Sequence, residues 1–110
     1  MQTPDDIIAE LRRVQGELSK APEAIFNAEI KLADAEAHLD SVEQTAFLSA
    51  DGSVAERTAK ARLEAIQARL ERDVAKAEVN RIRQKIRSLE SASVAVSTMG
   101  KQLELTWKHG

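Results

Sequence analysis

The amino-acid sequence predicts an all-α fold: a long antiparallel helical hairpin of coiled-coil character. Three observations predict it. The chain is rich in Ala, Glu, Leu, Arg and Lys and holds only three aromatics, Phe26, Phe47 and Trp107, a composition that suits narrow helix–helix seams rather than a wide core. Apolar residues recur at alternating steps of three and four through the first half of the chain, the period of one helix face. A reversal signal at residues 50–53 separates two such runs. At 110 residues the chain is expected to form one helical domain.

The first helix is expected over about 4–49. Thr3 is placed to cap it, Pro4 takes the favoured first position, and Asp5 and Asp6 complement the positive end of the dipole. Ile7, Leu11, Val14, Leu18, Ala21, Ile25, Ala28, Leu32, Ala35, Leu39, Val42 and Ala46 then keep an unbroken three-four rhythm. Large residues (Leu11, Leu18, Ile25, Leu32, Leu39) alternate with small ones (Ala21, Ala28, Ala35). Such a seam lets two helix backbones approach closely. Pro22 interrupts the pattern. It lacks an N–H and crowds the carbonyl of Leu18, at about 3 kcal/mol in a helix interior. The helix therefore kinks or breaks near 19–22, or residues 4–20 form a separate short helix. The apolar phase passes through Pro22 unchanged, which favours a kink or short break with continuing direction.

The turn is expected at 50–53. Gly52 supplies the left-handed backbone that ends a helix, and Ser53-Val54-Ala55-Glu56 matches a capping box. The second helix is expected over about 54–98, its apolar face running through Leu63, Ile66, Leu70 and Val74, then Val79, Ile82, Ile86 and Leu89. These two sets differ in phase, which reads as a stutter between Leu70 and Val79. Folding the chain at 51 or 52 places Leu39 near Leu63 and Ile66, Leu32 near Leu70, Leu18 near Ile86 and Ile7 near Val96. Residues 99–110 read as a continued helix that frays; a two-stranded tail around Met99-Gly100 is the less favoured alternative, being marginal in water.

Function has to be read from surfaces. On helix 1, Phe26, Ile30, Ala33 and Ala37 form a second apolar stripe nearly opposite the seam, which Phe47 and Leu48 extend toward the turn. One hairpin covers only one face of a helix, and soluble proteins rarely leave a large apolar patch bare. The stripe is buried either by residues 4–20 folding back or by another protomer. The latter is favoured and predicts a homo-oligomer, a four-helix or larger bundle built by two-fold symmetry. The second cluster is basic: Arg81, Arg83, Lys85 and Arg87 flank Ile82 and Ile86. These cations suit either the carboxylates of Glu10, Glu17 and Glu23 or nucleic-acid phosphates. The charge balance favours the former. Residues 1–52 hold 4 basic and 11 acidic side chains, residues 53–90 hold 10 and 6, and residues 91–110 hold 2 and 1. The basic arm thus has an acidic partner in cis. No aromatic platform for stacking on bases accompanies it.

Chemistry is sparse. There is no cysteine, glycine-rich phosphate loop, nucleophile elbow or zinc-protease helix motif. His38 and His109 are isolated in sequence, and Asp34, Glu36, Asp40 and Glu43 read as a solvated face. The expectation is a non-enzymatic protein with no catalytic residues, no metal and no cofactor. No apolar run is long enough to span a bilayer, and Met1-Gln2-Thr3-Pro4-Asp5-Asp6 lacks the basic-then-apolar order of a signal peptide. A soluble, uncleaved cytoplasmic protein away from membranes is expected.

The segment Thr45-Ala46-Phe47-Leu48-Ser49-Ala50-Asp51-Gly52-Ser53-Val54-Ala55-Glu56-Arg57 carries the pattern A-F-L-x-A-x-G-S-V-A-E-R and precedes a basic helix with a serine-rich end. It resembles a group of small helical-hairpin proteins of tailed bacteriophages and prophages, often encoded near single-strand annealing recombinases and single-strand-binding proteins. In character the likeness covers the middle and C-terminal two-thirds of the chain. It implies a phage accessory protein in the host bacterial cytoplasm, working as an oligomeric helical adaptor for another protein. The alternatives are a nucleic-acid accessory factor in replication or recombination, and a phage structural or anti-defence protein.

Overall fold

A computed structural model describes residues 3–109. Met1, Gln2 and Gly110, with the side chains of Lys108 and His109, lie outside the described residues, and so does the expectation placed on them. The chain is an all-α antiparallel hairpin: α1 spans Pro4–Ser49, α2 Val54–Glu64 and α3 Ile66–His109.

The local signals at the helix ends act as the sequence requires. The Asp6 amide donates to Thr3 Oγ1 at 3.2 Å and the Thr3 amide donates to the Asp6 carboxylate at 3.0 Å. Two of the free N–H groups at the start of α1 are thereby satisfied. At the reversal Gly52 has φ +112°, where a side chain is strained. Ser53 caps α2 by accepting the Glu56 amide at 3.2 Å. The Glu56 carboxylate accepts the Ser53 hydroxyl at 3.2 Å, so this box closes side chain to side chain. Arg57 fastens α2 to the last turn of α1: its Nε donates to the Phe47 carbonyl at 3.0 Å, and its guanidinium lies 4.3 Å from the Phe47 ring centroid.

Pro22 lies inside α1, which runs unbroken from Pro4 to Ser49. Residues 4–20 are therefore not a separate helix. Pro22 is exposed, so the carbonyl that loses its partner is on a side where water can replace it. All twelve seam residues from Ile7 to Ala46 are buried or half-buried.

The second arm differs from expectation in two respects. It is two helices, meeting at Ala65, whose φ −91° and ψ 4° depart from helical values. The ladder continues through that residue: Ala65 N–H bonds the Ala61 carbonyl at 3.1 Å, and Arg69 N–H bonds the Ala65 carbonyl at 2.8 Å. Second, there is no stutter. Ala61, Ala65, Ala68, Arg72, Ala75, Val79, Ile82, Ile86, Leu89, Ser93, Val96, Gly100 and Leu103 are all buried or half-buried, and every step is three or four. Leu63, Ile66, Leu70 and Val74 point outward, with 55–67% of their surface exposed. Leu39 accordingly packs on Ala65 and Ala68, not on Leu63 and Ile66. The tail continues as helix to His109, the favoured reading, and Met99-Gly100 makes no two-stranded turn.

The hairpin resolves into two compact units, one comprising the chain up to Ala24 with that from Ile82 onward, the other Ile25–Arg81. The Ile25–Arg81 unit contains the turn and an alanine-rich seam. In the other unit larger residues (Ile7, Val14, Val96) fill the seam. There a Cβ placed on Gly100 would lie 3.7 Å from Ile7 Cγ2.

Candidate interaction surface

The seam residues define a heptad on each arm, inner positions a and d, flanking positions e and g. Two ion pairs and one longer-range electrostatic influence agree with the phase. Lys85 Nζ lies 3.6 Å from Glu17, both at g. Lys31 acts on Glu78, both at g. Arg69 donates to Glu43 at 3.1 Å, both at e. In an antiparallel pair, like flanks meet, so e and g mark the two opposite sides of the hairpin.

Most of the large exposed apolar residues of the Ile25–Arg81 unit occupy positions b and f, whereas Val74 and Leu48 occupy c, toward g. On α1, Phe26 and Ala33 occupy b, and Ile30 and Ala37 occupy f; Phe26 is 61% and Ile30 44% exposed, and Ala33 and Ala37 are also exposed. On the other arm, Leu63 and Leu70 occupy f and Ile66 occupies b. At ~100° per residue, b lies about 60° from e and f about 100° from it, close to the face opposite the seam. Each arm therefore carries one stripe on its outer surface. Leu63 and Ile66 line an open groove of about 640 Å³ with Ala55, Thr58, Ala59, Arg62 and Arg69. The sequence pattern showed the α1 stripe. Its counterpart on the other arm does not show in the spacing, because there the large residues stand at outer positions and alanines line the seam.

Phe47 and Leu48 differ. Phe47 is half-buried beneath Arg57 and belongs to the turn, whereas Leu48 is 74% exposed.

The basic cluster is divided. Arg81 belongs to the Ile25–Arg81 unit and holds Glu78 through two hydrogen bonds of 2.7 and 3.0 Å. That contact lowers the Glu78 carboxyl below its ordinary range, helped by Lys31, and raises the Arg81 guanidinium. Lys85 faces Glu17, one of the three acidic partners expected for it. Arg83 and Arg87 are exposed; Arg87 lines a shallow groove with Glu90, Ser91 and Val94. A further apolar groove in the other unit is lined by Pro4, Ile8, Gly100, Leu103 and Trp107 with Glu104.

Among the described residues, no three His, Cys, Asp or Glu side chains form a group that could hold a metal ion. No described helix is long and apolar enough to cross a membrane. No family model, curated protein or solved structure matches the chain.

Proposed function

We propose that the chain is a non-enzymatic phage accessory protein, an oligomeric helical adaptor that self-associates and binds another protein in the host cytoplasm. One observation carries this reading: both arms of the Ile25–Arg81 unit bear rows of large exposed apolar residues at outer b and f positions. Scattered exposed leucines need no explanation, but aligned stripes on two adjacent helices form a patch of the kind that marks an interface. The basic cluster supports the reading too, because Arg81 and Lys85 already face carboxylates of this chain. Phages enter through the resemblance of residues 46–57.

The test is the mass in solution. Sedimentation or light scattering at tens of micromolar gives a dimer or larger species. Phe26→Glu with Ile30→Glu reduces it to a monomer of unchanged helicity, since both side chains lie outside the seam. A monomeric wild-type chain, or an oligomer indifferent to these substitutions, overturns the reading.

A further inference from the structure

We propose that the occupant of this apolar side is a second copy of the chain lying with its turn at the same end, so that α1 of each copy packs on the α2–α3 arm of the other. The inference rests on the self-association proposed above and adds its orientation. Two arrangements bring the apolar sides of identical hairpins face to face. A two-fold axis along the hairpin keeps the turns together and lays α1 on α2–α3. An axis across the hairpin sends the turns to opposite ends and lays α1 on α1.

Charge separates them. Within the Ile25–Arg81 unit, α1 carries five carboxylates against one lysine, and residues 54–81 carry seven cations against five carboxylates. Laying α1 on α1 sets acid against acid, whereas laying it on α2–α3 sets acid against base.

Size separates them independently. Leu39 packs on Ala65 and Ala68, which fixes the heights of the two arms. Carried along the helices, this pairing puts Ala37 level with Leu70 and Ala33 between Leu70 and Val74. It puts Ile30 and Phe26 level with Ala77 and its neighbours. An axis along the hairpin preserves these heights between copies. The large Leu70 of one copy then lies beside the small Ala37 of the other, and the large Ile30 lies beside the small Ala77. Each helix also gains only antiparallel neighbours, as in an up-down four-helix bundle.

The chain has no cysteine of its own, so Asp51→Cys gives a single spin-label site at the turn. Double electron–electron resonance on the labelled oligomer is expected to give one distance below about 30 Å, from helices packed ~10 Å apart plus the label arms. A distance of roughly 50 Å, twice the rise from the stripe centre to the turn at ~1.5 Å per residue, overturns the orientation and leaves self-association standing. A monomer without dipolar coupling overturns both.

Discussion

At Gly52 the backbone turns with φ +112°, and a Cβ added there would lie 2.6 Å from Glu56 Oε2. Gly52→Ala therefore carries two penalties: a left-handed conformation, costing roughly 1–2 kcal/mol for an L-residue, and displacement of the carboxylate that accepts the Ser53 hydroxyl. Urea denaturation is expected to show a loss of that order, with Glu56→Ala losing less. The other end of α1 offers a titration. Hydrogen bonds from the Thr3 amide and hydroxyl hold the Asp6 carboxyl below its ordinary 3.8. A lowered folded value means that this contribution is fully present above the ordinary Asp range and fades as pH falls through the lowered value. Carbon-13 titration of the Asp6 carboxyl should show the depression. Thr3→Ala should raise it toward 3.8 and cost the helix about 1 kcal/mol. An unchanged Asp6 titration in Thr3→Ala would sink this account of the cap.

At the scale of the element, α1 keeps an exposed proline within 46 continuous helical residues. Pro22→Ala restores an N–H for the Leu18 carbonyl and removes a clash. It is expected to stabilise the protein by up to about 3 kcal/mol, read from the denaturation midpoint. The second arm yields a sharper contrast. Ala65 is fully buried and Leu63 is 67% exposed. Ala65→Leu should cost roughly 1–3 kcal/mol through overpacking, while Leu63→Ala in a monomeric background should stay within about 0.5 kcal/mol. The reverse order would mean that Leu63 lies in the seam. The phase of α1 was legible in the sequence because leucine and isoleucine stand at its inner positions, and both caps were legible because their chemistry is local. The phase of α2 and early α3 was not. There the inner positions are Ala61, Ala65, Ala68 and Ala75 and the large residues face outward, so hydrophobicity points to the wrong side. The helix also continues through Pro22 without a break, for a related reason. Propensity counts one lost hydrogen bond, whereas twelve seam residues hold the helix on both sides of it. The apolar half of the candidate surface on α1 could be read from its spacing; its partner stripe could be placed only once the seam was known.

For the molecule as a whole, the alanine seam bears on the proposed self-association. Among the described residues ten apolar side chains are buried, and five of them are alanine. A buried methylene contributes about 0.8 kcal/mol, so a seam of single methyl groups gathers far less than one of leucines, while the backbone entropy per ordered residue is undiminished. Eight large apolar side chains of the Ile25–Arg81 unit, among them Phe26, Ile30, Leu63, Ile66 and Leu70, are exposed, and there they stabilise the fold only when another surface covers them. The melting temperature should then climb with protein concentration, as it does whenever binding selects the folded state. In Phe26→Glu with Leu70→Glu it should be lower and independent of concentration. Thermal scans across a hundredfold dilution series would read this directly, and a wild-type midpoint that did not move would show that each hairpin stands alone. Under the proposed self-association the amount of protein present would act as a control: chains made sparsely would stay loose and open to proteolysis, and chains made in quantity would lock one another into shape.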